Sequence, residues 1–100
     1  MIRPHRFHPN PETASDNAFQ RSGGQQADKE VARTAYEEVT GAAARLEAAG
    51  VRVHIFEDRG EKETPDSVFP NNWFSTHHGG HVSIFPMFSP SRRRERRYDI

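Results

Sequence analysis

No cysteine occurs in this chain of 100 residues, which removes both a disulfide framework and a cysteine nucleophile from within it. The same absence fits a reducing compartment. Long apolar runs are also missing, and the opening MIRPHRFHPNPE lacks the apolar core of a signal peptide. A cytoplasmic protein without a membrane partner is the expectation. Net charge is absent too: 14 Lys and Arg balance 14 Asp and Glu, so no overall field draws the chain toward nucleic acid. Hydrophobic residues are scarce at 33%, where ordinary soluble domains carry about 45–50% with glycine counted. A chain this short buries little more than about 60% of its unfolded surface, so its core should be marginal. Yet aromatic residues make up 10%, too many for a typical disordered tail. A folded piece of something larger reconciles the two.

Residues 1–26 read as loop, because Pro4, Pro9, Pro11 and the Gly23-Gly24 pair punctuate them. Phe19, set among polar residues in TASDNAFQ, reads as an anchor pinning that loop, with a ligand-covering flap as the alternative. From residue 27 to 50 the period becomes helical. Val31, Ala35, Val39, Ala42, Leu46 and Ala49 form a shallow alanine-rich stripe, Asp28 suits the first turn, and Gly50 suits the stop. Gly41 inside the helix suggests close approach to a neighbour. Three strands are expected within 51–88. The first is 51–56, where Val51, Val53 and Ile55 alternate with their neighbours. NWFST and HVSIFPM are the other two, joined by the glycine turn of HHGG. Residues 89–100 read as the start of a further helix that the chain leaves unfinished.

Two clusters invite functions that the pattern does not favour. His77, His78 and His81 lack a fourth ligand for zinc, and a solvated turn is preferred, so no metal site is assigned. The run SRRRERR forms a local basic face in a charge-balanced chain, so Arg94, Arg96 and Arg97 read as a solvated helix terminus rather than a nucleic-acid surface. Arg92 differs. With Ser91 as helix cap it would sit beside a strand end, placed to clamp a carboxylate. In PDSVFPNNWF, residues 65–74, Asp66, Asn71 and Asn72 are residues that strands avoid. They either satisfy a bent backbone or face a ligand.

TPDSVFPNNWFSTH followed by FPMFSPSRRRER resembles the guanidine-modifying, or amidinotransferase, superfamily, whose fold is a five-bladed α/β propeller (the pentein fold). PDSVF is similar to the substrate-binding strand of dimethylarginine dimethylaminohydrolases, and SRRRE to their Ser-Arg-Arg-basic-Glu run. PHRFHPNPETASDNAFQ and FPNNWFSTH look closer still to bacterial citrulline-utilisation hydrolases. The resemblance implies an α/β fold in which this chain is the first blade plus the start of the second. It implies that Asp66 holds the α-amino end of an amino-acid substrate and that Arg92 binds its carboxylate. Asn71 and Asn72 stand where relatives place acids facing a guanidinium. The family's catalytic histidine and cysteine have no counterparts here, so no catalytic residue is assigned and the isolated chain should be inactive. No cofactor is implied.

An amide pair carries no charge to balance a permanent cation, so Asn71 and Asn72 suit a neutral ureido group better than arginine. The expected protein is therefore the N-terminal segment of a hydrolase cleaving the linear C–N bond of a citrulline-like or arginine-related amino acid. Its partner is a small-molecule substrate, and homo-oligomerisation of a complete protein stays open. The alternative is a stand-alone binding module whose arginine-rich face meets an acidic partner.

Overall fold

The computed structural model describes residues 1–15 and 25–100; the expectation for Phe19 lies outside them. Its α/β architecture holds four strands and two α-helices among the described residues. They follow the order β1 (Ile2–Pro4), α1 (Gln25–Ala48), β2 (Phe56–Asp58), β3 (Phe74–His77), β4 (His81–Ile84) and α2 (Pro90–Arg93). β1 pairs in parallel with β2, placing Ile2 opposite Phe56, Arg3 opposite Glu57 and Pro4 opposite Asp58. β3 and β4 form a separate antiparallel hairpin in which His77 faces His81 across the turn. Gly79 and Gly80 sit at φ 81° and 77° in that turn, a conformation that a side chain resists.

Several expectations need correction. The segment 1–26 is not all loop, because Ile2–Pro4 forms a strand that only a partner more than fifty residues away makes visible. The strand expected over 51–56 lies instead at Phe56–Asp58. In the parallel register Ile2 meets Phe56, so the residues before Phe56 run past the end of β1. The Met1 ammonium closes that end by donating to the His54 carbonyl at 2.6 Å. The helix expected to run on from 89 is a single turn at its start, capped at Arg94.

α1 is rotated from the expected stripe. Ala43 is buried, with Ala35, Tyr36, Val39 and Thr40 half-buried, whereas Val31, Ala42 and Leu46 are exposed. The covered face follows the partners that β1 presents. The Arg3 guanidinium lies 4.9 Å from the centre of the Tyr36 ring, and His5 meets the same ring edge-on at 5.1 Å. A polarisable ring under a cation outweighs the weak pull of an alanine stripe. The helix ends at Gly50, φ 86°. There Val51 N–H reaches back to Leu46 O at 3.0 Å and Gly50 N–H to Glu47 O at 2.9 Å. That pairing satisfies the last carbonyls through a left-handed glycine. Gly41 serves no close approach, since a Cβ there would meet nothing within 4 Å.

The interior is unusual in composition. Ile2, Ala43 and Trp73 are the buried hydrophobic side chains among the described residues, against buried Asn10, Thr64, Ser67, Ser89, Ser91 and Glu95. Polar bonding therefore carries what a small apolar core cannot. The two glycines of α1 and its cap should respond with opposite signs. Gly41→Ala should stabilise the chain by up to about 1 kcal/mol, and Gly50→Ala should cost about 1–2 kcal/mol. Thermal melts followed by helical circular dichroism read both, and a stabilising Gly50→Ala would refute the left-handed cap.

Candidate functional site

Residues 65–73 form turns, and β3 begins only at Phe74. Ser67 N–H bonds Thr64 O at 3.1 Å and Phe69 N–H bonds Asp66 O at 3.0 Å. Pro70 then opens a short 3-10 turn over Pro70–Asn72, supplying the preset φ that its first position wants. The two asparagines thus ride on a tight turn that Trp73, 4% exposed, anchors below. Among the described residues Trp73 Nε1 is buried without a partner.

α2 brings Arg92 to this turn, with a correction to its capping. Ser89 is the N-cap, Pro90 opens the helix, and Ser91 is a buried residue inside it. The missing cap comes from far away in sequence: Glu12 Oε2 accepts the Ser91 N–H at 3.0 Å and the Ser91 hydroxyl at 2.7 Å. A carboxylate at an orphan helix N–H is a favourable charge-assisted bond. Those bonds hold the Glu12 carboxyl below its usual 4.5.

The expected substrate residues fall into two groups. Asp66 and Arg92 come together, with Asp66 Oδ2 3.6 Å from Arg92 Nε, each side chain 16% exposed. Asn72 joins them, its Oδ1 accepting from Arg92 Nη2 at 2.9 Å. Asn71 is exposed and stands outside this network among the described residues. The guanidinium also grips Glu95 through two N–H donors, Nε to Oε1 at 3.0 Å and Nη2 to Oε2 at 3.3 Å. Glu95 has no exposed side-chain surface. Burial pushes its carboxyl above the usual value, with Arg92 opposing and Asp66 and Asp58 adding to the rise.

Sequence reasoning missed Asn10, Glu12 and Glu95. Asn10 is 1% exposed; its Nδ2 donates to Asp66 Oδ2 at 2.7 Å and to Ser91 Oγ at 3.2 Å. Its Oδ1 accepts Glu12 N–H at 3.0 Å, a local turn that PNPE between two prolines could have signalled. Glu95 closes the SRRRE run and lies one turn from Arg92, but nothing in the sequence shows that it is buried; Glu12 has no local mark, because its partner Ser91 lies 79 residues away. A cavity of about 420 Å³ adjoins the network, lined in part by Asn10, Glu12, Ser91 and Arg94. A larger one, about 890 Å³, lies between α1 and residues 5–8 and holds none of the four expected site residues.

The remaining arginines are not simply solvated. Arg93 donates to Met87 O and Phe88 O, Arg94 to Lys62 O and Glu63 O, Arg96 to Phe85 O, and Arg97 to Glu57 O. Their flat multi-donor heads tie down main-chain carbonyls, most of them in loops and one, Glu57 O, in β2. That arrangement spends donors which an acidic partner would have needed.

A family model for eukaryotic N,N dimethylarginine dimethylhydrolase matches residues 3–100, including every residue of the network. The chain belongs to the N,N dimethylarginine dimethylhydrolase family. No curated protein and no solved structure matches it at a significant level. Membership of that family makes hydrolase chemistry on a C–N bond of an arginine-related small molecule the activity at family level. Among the described residues no helix is long and apolar enough to cross a membrane.

The two carboxylates of this network, Glu12 and Glu95, should titrate with opposite effects. Glu12 is depressed, so its contribution exists above 4.5 and is lost as pH falls through its lower folded value. Glu95 is raised, so its contribution is present below 4.5 and is lost as pH rises through its higher folded value. Glu12→Gln should therefore weaken the chain at neutral pH, with the deficit closing on acidification, while the deficit of Glu95→Gln should shrink as pH rises. Urea unfolding of the three chains across the acid range checks this, and parallel stability profiles would contradict it.

Proposed function

We propose that this chain forms the amino-acid-binding part of a hydrolase that cleaves the linear C–N bond of a citrulline-like amino acid. On this reading the β1–α1–β2 unit and the β3–β4 hairpin make the first blade of a five-bladed propeller, and α2 opens the second. The histidine and the cysteine nucleophile lie outside these residues. The resemblance implies that the cysteine sulfur attacks the ureido carbon, the nitrogen leaves, and water hydrolyses the covalent intermediate.

The observation that carries the reading is the Asp66–Arg92 pair. Asp66 Oδ2 faces Asn10 and Arg92, and no described residue donates to Oδ1. Arg92 spends Nε and Nη2 on Glu95 and Asn72, and among the described residues Nη1 has no acceptor. An open acceptor beside an open donor suits the ammonium and carboxylate of a free α-amino acid.

The head-group preference follows from the orientation of Asn72. Arginine only donates, so the amide must turn Oδ1 toward Arg92 and offer its N–H groups elsewhere. An N–H donor pairs with a ureido carbonyl and finds no acceptor on a guanidinium. Asn72 thus favours citrulline over arginine, and Asn71 stands beside it on the same turn. Localisation in the cytoplasm accords with the cysteine-free sequence and completes the proposal.

Titration of the chain with L-citrulline and L-arginine, followed by amide NMR shifts, tests this. Citrulline should bind about tenfold more tightly, a modest ratio because Asn72 is exposed, and Asn72→Asp should move the ratio toward arginine. The chain alone should release no ammonia from citrulline. Tighter binding of arginine to the unaltered chain, or a ratio indifferent to Asn72→Asp, would overturn the head-group assignment.

A further inference from the structure

We propose that Asn10 is a positioning residue of the substrate site, setting which oxygen of Asp66 meets the ligand. The inference rests on the reading above, that Asp66 takes the α-ammonium of an amino acid, and adds to it a residue from the far N-terminal segment.

Asn10 is 1% exposed, so each of its polar atoms must be satisfied within the fold. Its two sides do different work. Oδ1 takes the Glu12 N–H at 3.0 Å and fixes the 10–13 turn, in which Thr13 N–H also returns to Asn10 O at 3.2 Å. Nδ2 points the other way, to Asp66 Oδ2 at 2.7 Å and Ser91 Oγ at 3.2 Å. One amide therefore joins three segments: its own turn, the turn that carries Asp66, and the helix that carries Arg92. Ser91 in turn donates its hydroxyl to Glu12 at 2.7 Å and its N–H at 3.0 Å, so three hydrogen bonds join the loop around Asn10 to α2.

The consequence for Asp66 is directional. Oδ2 receives the amide N–H and lies 3.6 Å from Arg92 Nε. That leaves Oδ1 as the oxygen on which an ammonium can land, at a place set by a rigid buried partner. Without Nδ2 the carboxylate can rotate toward Arg92 and close both of its oxygens on the guanidinium, which removes the acceptor that the ammonium needs. Asparagine is the residue this post requires. Aspartate would set a second carboxylate against Asp66, and serine would be too short to span from the 10–13 turn to both partners.

The test uses the full chain and two probes, L-citrulline and its Nα-acetyl derivative, which lacks the ammonium. Asn10→Ala, with Asn10→Ser as the milder variant should alanine unfold the chain, should weaken L-citrulline about tenfold and change the acetylated probe by less than about twofold. In an Asp66→Asn background the same change at Asn10 should have no further effect on citrulline. Equal weakening of both probes would mean that Asn10 acts only on folding, and would overturn the proposal. An unaltered chain that binds both probes equally would instead overturn the ammonium reading of Asp66, and the proposal with it. A ligand-free check stands beside these. The loss of melting temperature in Asn10→Ala should shrink when Asp66 is already Asn, and strictly additive losses would refute the Asn10–Asp66 contact as the source of the effect.

Discussion

The Glu95 carboxylate, wholly buried and gripped by Arg92 through two N–H donors, is the interaction on which the rest of the structure depends. A buried carboxylate is tolerable only with a charged, hydrogen-bonding partner, so Glu95 and Arg92 must stay together whatever the pair adds to stability. Glu95 therefore dictates where the guanidinium lies. The guanidinium then dictates the rest, because its remaining donors fix Asn72 and its charge holds Asp66 at 3.6 Å.

A second ionic cluster holds the β1–β2 pair. Arg3 and His5 both bond Glu57 across the β1–β2 pair, His5 at 2.8 Å, and they press its carboxyl down to about 2. Asp58, next in the strand, accepts from Gly60 N–H at 2.9 Å and from the Ser67 hydroxyl, which ties the strand end to the turn carrying Asp66. The two acids that end β2 thus link the sheet to the site. Fold and candidate site share one polar network, in which Asp66 Oδ1 and Arg92 Nη1 have no partner among the described residues.

Membership of the dimethylhydrolase family and the geometry bear on different levels of function. The family match over residues 3–100 supplies the hydrolase class and the kind of small molecule. The orientation of Asn72 concerns the finer choice between a ureido group and a guanidinium. With Oδ1 turned to Arg92, the Asn72 amide has only its N–H donors left to offer outward.

Much of the local structure was legible because it depends on neighbours in sequence. The long helix follows from period and from the glycine that ends it at φ 86°, and the hairpin follows from its glycine turn. Asp66 and Arg92 stood out because an acid between turn residues and an arginine after a serine are local patterns. The rest was illegible for a physical reason. β1 needs β2 to exist, the face of α1 is chosen by Arg3 and His5, and the cap of α2 arrives from Glu12. Asn10 and Glu95 are ordinary polar residues in one dimension and become central only when burial forbids them water. Sequence by itself determined the turns, the helix and the chemical types available. Only the tertiary structure decided which oxygen and which nitrogen remain open, because that depends on bonds between segments that the chain sets far apart.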